Sequence, residues 1–400
     1  MKRMYVRHLV SATCGVLLLA GCASASTPIP TSAPAGQPTS PPTGAQNPTT
    51  APAAATPAVA VPASTPGSSA SANGGTLTLN GAGSSFDNPL FSKAFAEYTK
   101  THPKVQVNYQ SVGSGAGIQQ LTQGTVDFGA SDAPLTDEQL AAAENDVVHV
   151  PVTLGAVSVA YNLPGVNEGL KLSGDALAKI FLGTIKKWND PAIAQLNPDV
   201  QLPNTDIAVV HRSDGSGTTD IFTTYLAAAS QEWKDQVGSG LSVDWPVGLG
   251  GKGSEGVAGQ VKQIPGGIGY FEMAYAKQNG LTSAAIQSGD QYLVPNIDGA
   301  TACAAGIADK LPADLRVRIA GCSGQNAYPI SGFSWVVLHQ NQKDAARGQA
   351  MVNLLWWLTH DGQQYSTDLF YAPLPPQVVS KDEQQLSSIK ANGQPIQPAH

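Results

Sequence analysis

The sequence predicts an α/β fold with a largely parallel sheet, and three observations carry that prediction. A β-rich run followed by a helical pattern recurs four times between Thr76 and Leu226, the alternation that builds parallel sheets flanked by helices. Each of those runs ends in a loop of Gly, Ser, Thr or Asp. The stretch with this character, residues 76–400, is long enough for two domains.

The chain opens with Lys2, Arg3 and Arg7, followed by the apolar run LVSATCGVLLLAGC. A basic start and a short apolar core read as a secretory signal over residues 1–21, too short to span a membrane. LAGC, Leu19 to Cys22, is similar to the bacterial lipobox, which implies a lipid on Cys22 and a tether to the outer face of the cell membrane. From Ala23 to about Gly75 the chain is Ala, Thr, Pro, Ser and Gly with eleven prolines, and no charged residue falls between Arg7 and Asp87. So little apolar surface cannot offset the entropy of ordering, so residues 22–75 are expected to be a disordered spacer.

The first folded unit is TLTLNGAGSSFDNP, after which Leu90, Phe91, Ala94, Phe95 and Tyr98 share one helical face. Asp87 or Asn88 offers a cap, and Pro89 suits the first helical turn. In VQVNYQSVGSGAG, Val105, Val107 and Tyr109 alternate as in a half-buried strand, and the next helix carries Ile118 and Leu121. TVDFGASDAPLTDEQL follows, where Thr136 and Gln139 fit a capping box. The fourth unit is DIAVVHRSDGSGTTDIFTTYL, whose helix groups Ile221, Phe222, Tyr225 and Leu226. Further on, Leu354, Leu355, Trp357 and Leu358 at helical spacing predict a core-facing helix, and the Lys186–Trp188 run KKW a solvated helix end.

In open α/β sheets ligands bind beyond the carboxyl ends of the strands. Loops that run straight into helices aim free N–H groups and a positive dipole end at that crevice. Ser84, Ser85, Phe86, Ser114, Asp132, Arg212, Ser216, Gly217 and Thr218 are therefore candidates to converge on one anion. Glycine admits the backbone, Ser and Thr add donors, and Arg212 offers a two-pronged contact. Asp220 falls in a first helical turn, where a carboxylate is favourable.

Taking the leader's three cations from 22 Lys+Arg leaves 19 against 29 Asp+Glu, a net of −10. Nucleic acid is a poor fit as a partner on that balance, and an anion site has to be built from local donors. Of four cysteines, Cys14 leaves with the leader and Cys22 takes the lipid. Cys303 and Cys322 are expected to form one disulfide, worth roughly 3 kcal/mol for a loop of that size. No Cys-x-x-Cys or His cluster argues for a redox or metal role.

GAGSSF, GSGAGIQQ, DFGASDAPL and RSDGSGTT resemble the phosphate-contacting segments of the phosphate-binding proteins that serve the bacterial phosphate ABC importer, the PstS family. KKWNDPAIAQLNPDVQLP, GKGSEGVAGQVKQIPGGIGY, YPISGFSW and YAPLP occur in that family's order, so the resemblance covers nearly the whole folded part. It implies a type II periplasmic-binding-protein architecture, two α/β lobes joined by two hinge strands. Lobe 1 would comprise residues 76–151 and 332–400, and lobe 2 residues 152–331. It implies that phosphate is held by Ser84, Ser85, Phe86, Ser114 and Asp132 from one lobe and by Arg212, Ser216, Gly217 and Thr218 from the other. Asp214 matches an aspartate that holds the arginine in place. The family often carries Ala-Thr where this chain has Ser84-Ser85, and either hydroxyl serves. The implied protein is a monomer without enzymatic activity, cofactor or metal, and its partners are permease subunits with a cytoplasmic ATPase.

Two other readings start from the same loops. GASDA, Gly129 to Ala133, is one residue from the nucleophile-elbow pattern and would make Ser131 the nucleophile of a phosphatase or other hydrolase. That needs a placed histidine, and only His149 and His211 lie near the loops. A binding protein for another oxyanion keeps the fold, but Asp132 opposes a fully deprotonated guest such as sulfate. GSGTT lacks the lysine of a P-loop, which argues against a nucleotide.

Overall fold

The computed structural model describes residues 75–144 and 146–399. The signal segment, Cys22 and the tether up to residue 74 lie outside them. Among the described residues no helix is long and apolar enough to cross a membrane.

The predicted units form in order: β1 (Leu77–Gly83) and α1 (Asn88–Thr101), β2 (Val105–Ser111) and α2 (Ser114–Thr122), then β3 (Phe128–Ser131) and α3 (Asp137–Ala142). β4 (Val147–Asn162) is 16 residues long and is followed, beyond a helical region, by β5 (Ala208–Arg212) and α4 (Gly217–Ala229). β6 (Leu249–Gly251), α5 (Gly253–Gln263) and β7 (Gly267–Glu272) come next, then α6 (Ile297–Ala305), β8 (Ser331–His339) and α7 (Ala345–Thr359). The sheet order is β2-β1-β3-β8-β4-β7-β5-β6, with the short strand Thr282–Ser283 also against β4.

The sheet is mixed, which corrects the expectation of a largely parallel one. β1 lies parallel to β2 and β3, and β5 parallel to β6 and β7. Between these two parallel groups, β8 runs antiparallel to β3 and β4, and β4 antiparallel to β7. β4 changes partner along its length: Val147 to Ala156 pair with β8, and Val157 to Asn162 pair with β7. A single strand thus belongs to both α/β halves. Its burial is near continuous, as expected for a strand covered on both faces.

α1 buries Leu90, Phe91, Ala94, Phe95 and Tyr98, the face read from the sequence. Phe91, Ala94, Phe95 and Tyr98 pack with Leu79, Phe128, Val150 and Val336 of the sheet and with Leu354, Leu355 and Leu358 of α7, while Leu90 joins the other core cluster. The Phe91 and Tyr109 rings meet edge to face at 5.0 Å. α4 buries Ile221, Phe222, Tyr225 and Leu226 against the other half, with Phe222 stacked on Tyr270 at 4.3 Å. The Thr136–Gln139 capping box is present in both directions. KKW is an isolated bridge and turn rather than a helix end: Lys187 bridges to Asp206 through the backbone and pairs with its carboxylate, and Trp188 is wholly buried with its indole N–H on the Gly266 carbonyl at 3.0 Å.

Cys303 on α6 and Cys322 form a disulfide with Cα atoms 5.6 Å apart, closing a loop of sequence separation 19. Reduction, or the Cys303→Ala/Cys322→Ala pair, is expected to lower unfolding free energy by roughly 3 kcal/mol. Urea denaturation with and without reductant measures it, and the double variant should show no further response to reductant.

Candidate functional site

Four helices start where four strands of the two parallel groups end: α1 after β1, α2 after β2, α4 after β5 and α5 after β6. The Asp132 loop ends β3. Hydrogen bonds tie these loops together across the sheet. The Gly217 N–H donates to Ser114 Oγ at 3.0 Å, and the Gly115 N–H to the Gly215 carbonyl at 2.9 Å. Ser85 Oγ meets Ser254 Oγ at 3.0 Å and accepts the Ser254 N–H at 3.0 Å.

Asp132 is the junction. One carboxylate oxygen accepts from Ser84 Oγ of the first loop and the other from Thr218 Oγ1 of α4 at 2.8 Å. Ser334 Oγ on β8 lies 3.3 Å from the first oxygen. Burial pushes its pKa up to about 6, while the Ser84 and Thr218 hydroxyls and the Arg212 charge pull the other way.

Arg212 is held before any ligand arrives. Its Nε and Nη2 donate to the two oxygens of Asp214 at 2.8 and 2.5 Å, and Nη1 lies 3.5 Å from Ser254 Oγ. Burial favours the neutral Asp214, but the guanidinium bonds outweigh it and leave the carboxyl below its ordinary range. The Gly253 N–H adds a third bond to Asp214 at 3.0 Å. A fork fixed at two points presents its free edge in one direction, which a lysine would not do.

Three tyrosines set the first loop. Tyr109, Tyr275 and Tyr371 donate to the carbonyls of Ser84, Ser85 and Phe86 at 2.7, 2.6 and 2.5 Å. Fixing three successive carbonyls fixes the planes of the peptides that carry the adjoining N–H groups. The Phe86 N–H is taken by Ser84 Oγ at 2.9 Å. Ser216 caps α4 by accepting the Thr219 N–H at 3.1 Å, which leaves its hydroxyl hydrogen free to donate.

Two glycines are required by close approach. A Cβ on Gly113, at φ +93°, would meet the Asp214 carboxylate at 2.3 Å and the Gly215 carbonyl at 2.8 Å. A Cβ on Gly217 would lie 2.6–2.7 Å from the Asp132 backbone.

All nine residues predicted to line an anion site are thus buried around one junction, with Asp214 behind Arg212. Others were not predicted. Ser254 sits in the first turn of α5, within the run GGKGSEG that follows β6 and has the same Gly-Ser chemistry, but β6 is only three residues and gave no strand signal. Asp87 is not the side-chain cap expected of it: it makes no capping bond, and its carboxylate turns inward to Ser334 Oγ at 2.7 Å. Asp220 does lie in the first turn of α4, but it is also paired with Arg318 at 2.7 Å.

Ser131 Oγ donates to the Ala133 carbonyl at 2.6 Å and accepts the Ala133 N–H at 3.2 Å. His149 Nε2 accepts the Leu135 N–H at 3.1 Å, and burial lowers its pKa to about 4. His211 stacks on Trp245 at 4.9 Å and meets the Arg212 carbonyl through Nδ1. In none of these bonds does a histidine meet Ser131 Oγ. Among the described residues no group of three His, Cys, Asp or Glu is placed to hold a metal ion.

The model for the PBP superfamily domain matches residues 49–359. The chain is 43% identical over 310 residues to the phosphate-binding protein PstS of Xylella fastidiosa (strain Temecula1), covering 77% of this chain and 84% of that one. It is 44% identical over 310 residues to PstS of Pasteurella multocida (strain Pm70), covering 77% and 89%. The crystal structure of a phosphate-binding protein from Stenotrophomonas maltophilia matches with a TM-score of 0.60 at 20% identity, over 76% of this chain and 92% of that one. That last likeness is one of fold.

Two measurements follow from the junction. Because Asp132 titrates near 6 in the folded chain against an ordinary 3.8, the native state holds the extra proton between those values. Its contribution to stability is therefore full below about pH 4 and lost as pH rises through about 6. Asp132→Asn is expected to flatten that part of a pH series of urea unfolding curves. Gly217→Ala is expected to hold the Asp132 and α4 loops apart without unfolding the protein, seen as a larger radius of gyration in solution scattering and an unchanged far-ultraviolet dichroism spectrum.

Proposed function

The chain belongs to the PBP superfamily and, within it, to the PstS phosphate-binding proteins, and from that premise we propose that it is the substrate-binding component of a phosphate ABC importer. In this reading Ser84, Ser85, Phe86, Ser114 and Asp132 hold inorganic phosphate from one lobe. Arg212, Ser216, Gly217 and Thr218 hold it from the other. The hinge is the crossing segment of β4 with β8, and the lobes are residues 76–151 with 332–400 and residues 152–331. The change of partner along β4 supports the hinge. The protein is extracytoplasmic, monomeric and lipid-anchored through Cys22, and hands phosphate to permease subunits driven by a cytoplasmic ATPase. It binds and does not turn over its ligand, a reading favoured by the engagement of Ser131 with the backbone.

The observation that carries the proposal is the position of Asp132, a buried acid among donors suited to an anion. Phosphate near neutral pH keeps a proton on at least one oxygen, and sulfate keeps none. A carboxylate accepts that proton's hydrogen bond and repels a bare anionic oxygen. Sites built to bond a hydroxyl reject analogues lacking it by roughly 10⁴–10⁵-fold. Closure joins both lobes to one ligand, so phosphate shifts the population toward the closed form.

Titration calorimetry of the full chain tests this. Phosphate is expected to bind with sulfate excluded by roughly 10⁴-fold. Asp132→Asn is expected to weaken phosphate by about ten- to a hundredfold, the range for a lost hydrogen bond to a charged group. Wild-type discrimination in that variant removes Asp132 from the role.

A further inference from the structure

Behind Asp132 lies a second acid that the anion site does not explain. Asp87 is wholly buried, and its Oδ2 is 2.7 Å from Ser334 Oγ. The same hydroxyl is 3.3 Å from Asp132 Oδ1. A serine hydroxyl has one hydrogen. It satisfies one of the two carboxylates and leaves its oxygen facing the other, unless that other acid carries a proton and donates in turn.

Which acid holds the proton follows from their surroundings. Asp132 accepts from Ser84 and Thr218 and faces the Arg212 guanidinium. Asp87 has Ser334 alone, and its Oδ1 is buried without a partner. The ionisable groups around Asp87 are Asp132 at the end of β3, Glu272 at the end of β7, Tyr109 on β2 and Tyr371 after α7. None of them is a cation. A lone charge in such a place is far less favourable than a neutral acid.

We propose that Asp87 is a positioning residue that stays protonated at neutral pH and donates to Ser334 Oγ, so that the Ser334 hydrogen is directed at Asp132 and keeps it an ionised acceptor for the ligand's proton. The chain of donation runs Asp87 Oδ2–H to Ser334 Oγ, and Ser334 Oγ–H to Asp132 Oδ1. Burial first, and the Asp132 charge second, raise the Asp87 carboxyl well above its usual range, in agreement with this direction. The inference rests on the phosphate-binding reading for its consequence, though not for its proton.

Infrared spectroscopy of the wild-type protein at pH 8 reads the proton directly, with no ligand involved. A protonated-carboxyl C=O band that disappears in Asp87→Asn supports the inference, and a spectrum unchanged by that substitution overturns it. Calorimetry with inorganic phosphate reads the consequence. Asp87→Asn keeps a neutral group whose amide N–H can still donate to Ser334 Oγ, so the relay is retained and phosphate is expected to bind within about twofold of wild type. Removing a real charge at that depth strengthens anion binding by more than about tenfold at an effective dielectric near 20, and such a gain overturns the inference. Ser334→Ala deprives Asp132 of a donor, so the loss of affinity on acidification is expected to begin at higher pH than in wild type. An unmoved profile overturns the relay. Failure of the wild type to bind phosphate at all would instead refute the functional reading and leave the infrared result standing.

Discussion

The arrangement depends on keeping one carboxylate ionised inside a protein. A buried acid is neutralised unless donors and a positive charge repay the loss of water. Asp132 receives Ser84 from one α/β half, Thr218 from the other, and the Arg212 field. Because two of those donors stand on opposite sides of the β4 crossing, the charge is best compensated only when the halves meet. The same contacts that satisfy the acid therefore bring the loops into register. On the proposed reading, binding and closure would share this one set of atoms.

That coupling explains the density of small residues at the junction. Gly113 and Gly217 let two backbones pass where a Cβ would collide with Asp214 or with backbone, and Gly115 and Gly215 face each other closely enough that a Cβ on either would be tightly packed. Ser and Thr are the shortest side chains that still carry a hydroxyl, so they add donors without forcing the loops apart. The bulky groups stand one layer back, where Tyr109, Tyr275 and Tyr371 fix the first loop through its carbonyls. Geometry near the site is set by what is small and polar, and its rigidity by what is large and buried.

Local chemistry was legible in the sequence and long-range pairing was not. The α1 and α4 faces, the Thr136–Gln139 box and four of the five strand-end loops are written in spacing and turn residues. The mixed sheet was not, since antiparallel neighbours of β4 come from residues over a hundred positions away. Asp87 was misread because Asp-Asn-Pro is the composition of a helix start, whereas its side chain answers to Ser334, 247 residues on. Ser254 escaped because its strand is three residues of Leu-Gly-Gly. Tyr109 is visible in the sequence as a strand position, but nothing in a pattern says where a phenol oxygen points.

Without the three cations of residues 1–21 the chain carries a net charge of −10, which looks hostile to an anion, yet the distances resolve the conflict. At physiological ionic strength exposed charges are screened over about 8 Å, so scattered surface acids count for little inside the junction. What counts there is a guanidinium largely balanced by its own aspartate, an acid, and a set of neutral N–H and O–H dipoles. A strongly cationic pocket would attract any oxyanion and release it slowly. Neutral dipoles stabilise a guest only when its oxygens match their directions. On the proposed reading, selectivity would come from geometry and from where hydrogens lie, and the overall sign of the protein would be free to serve solubility instead.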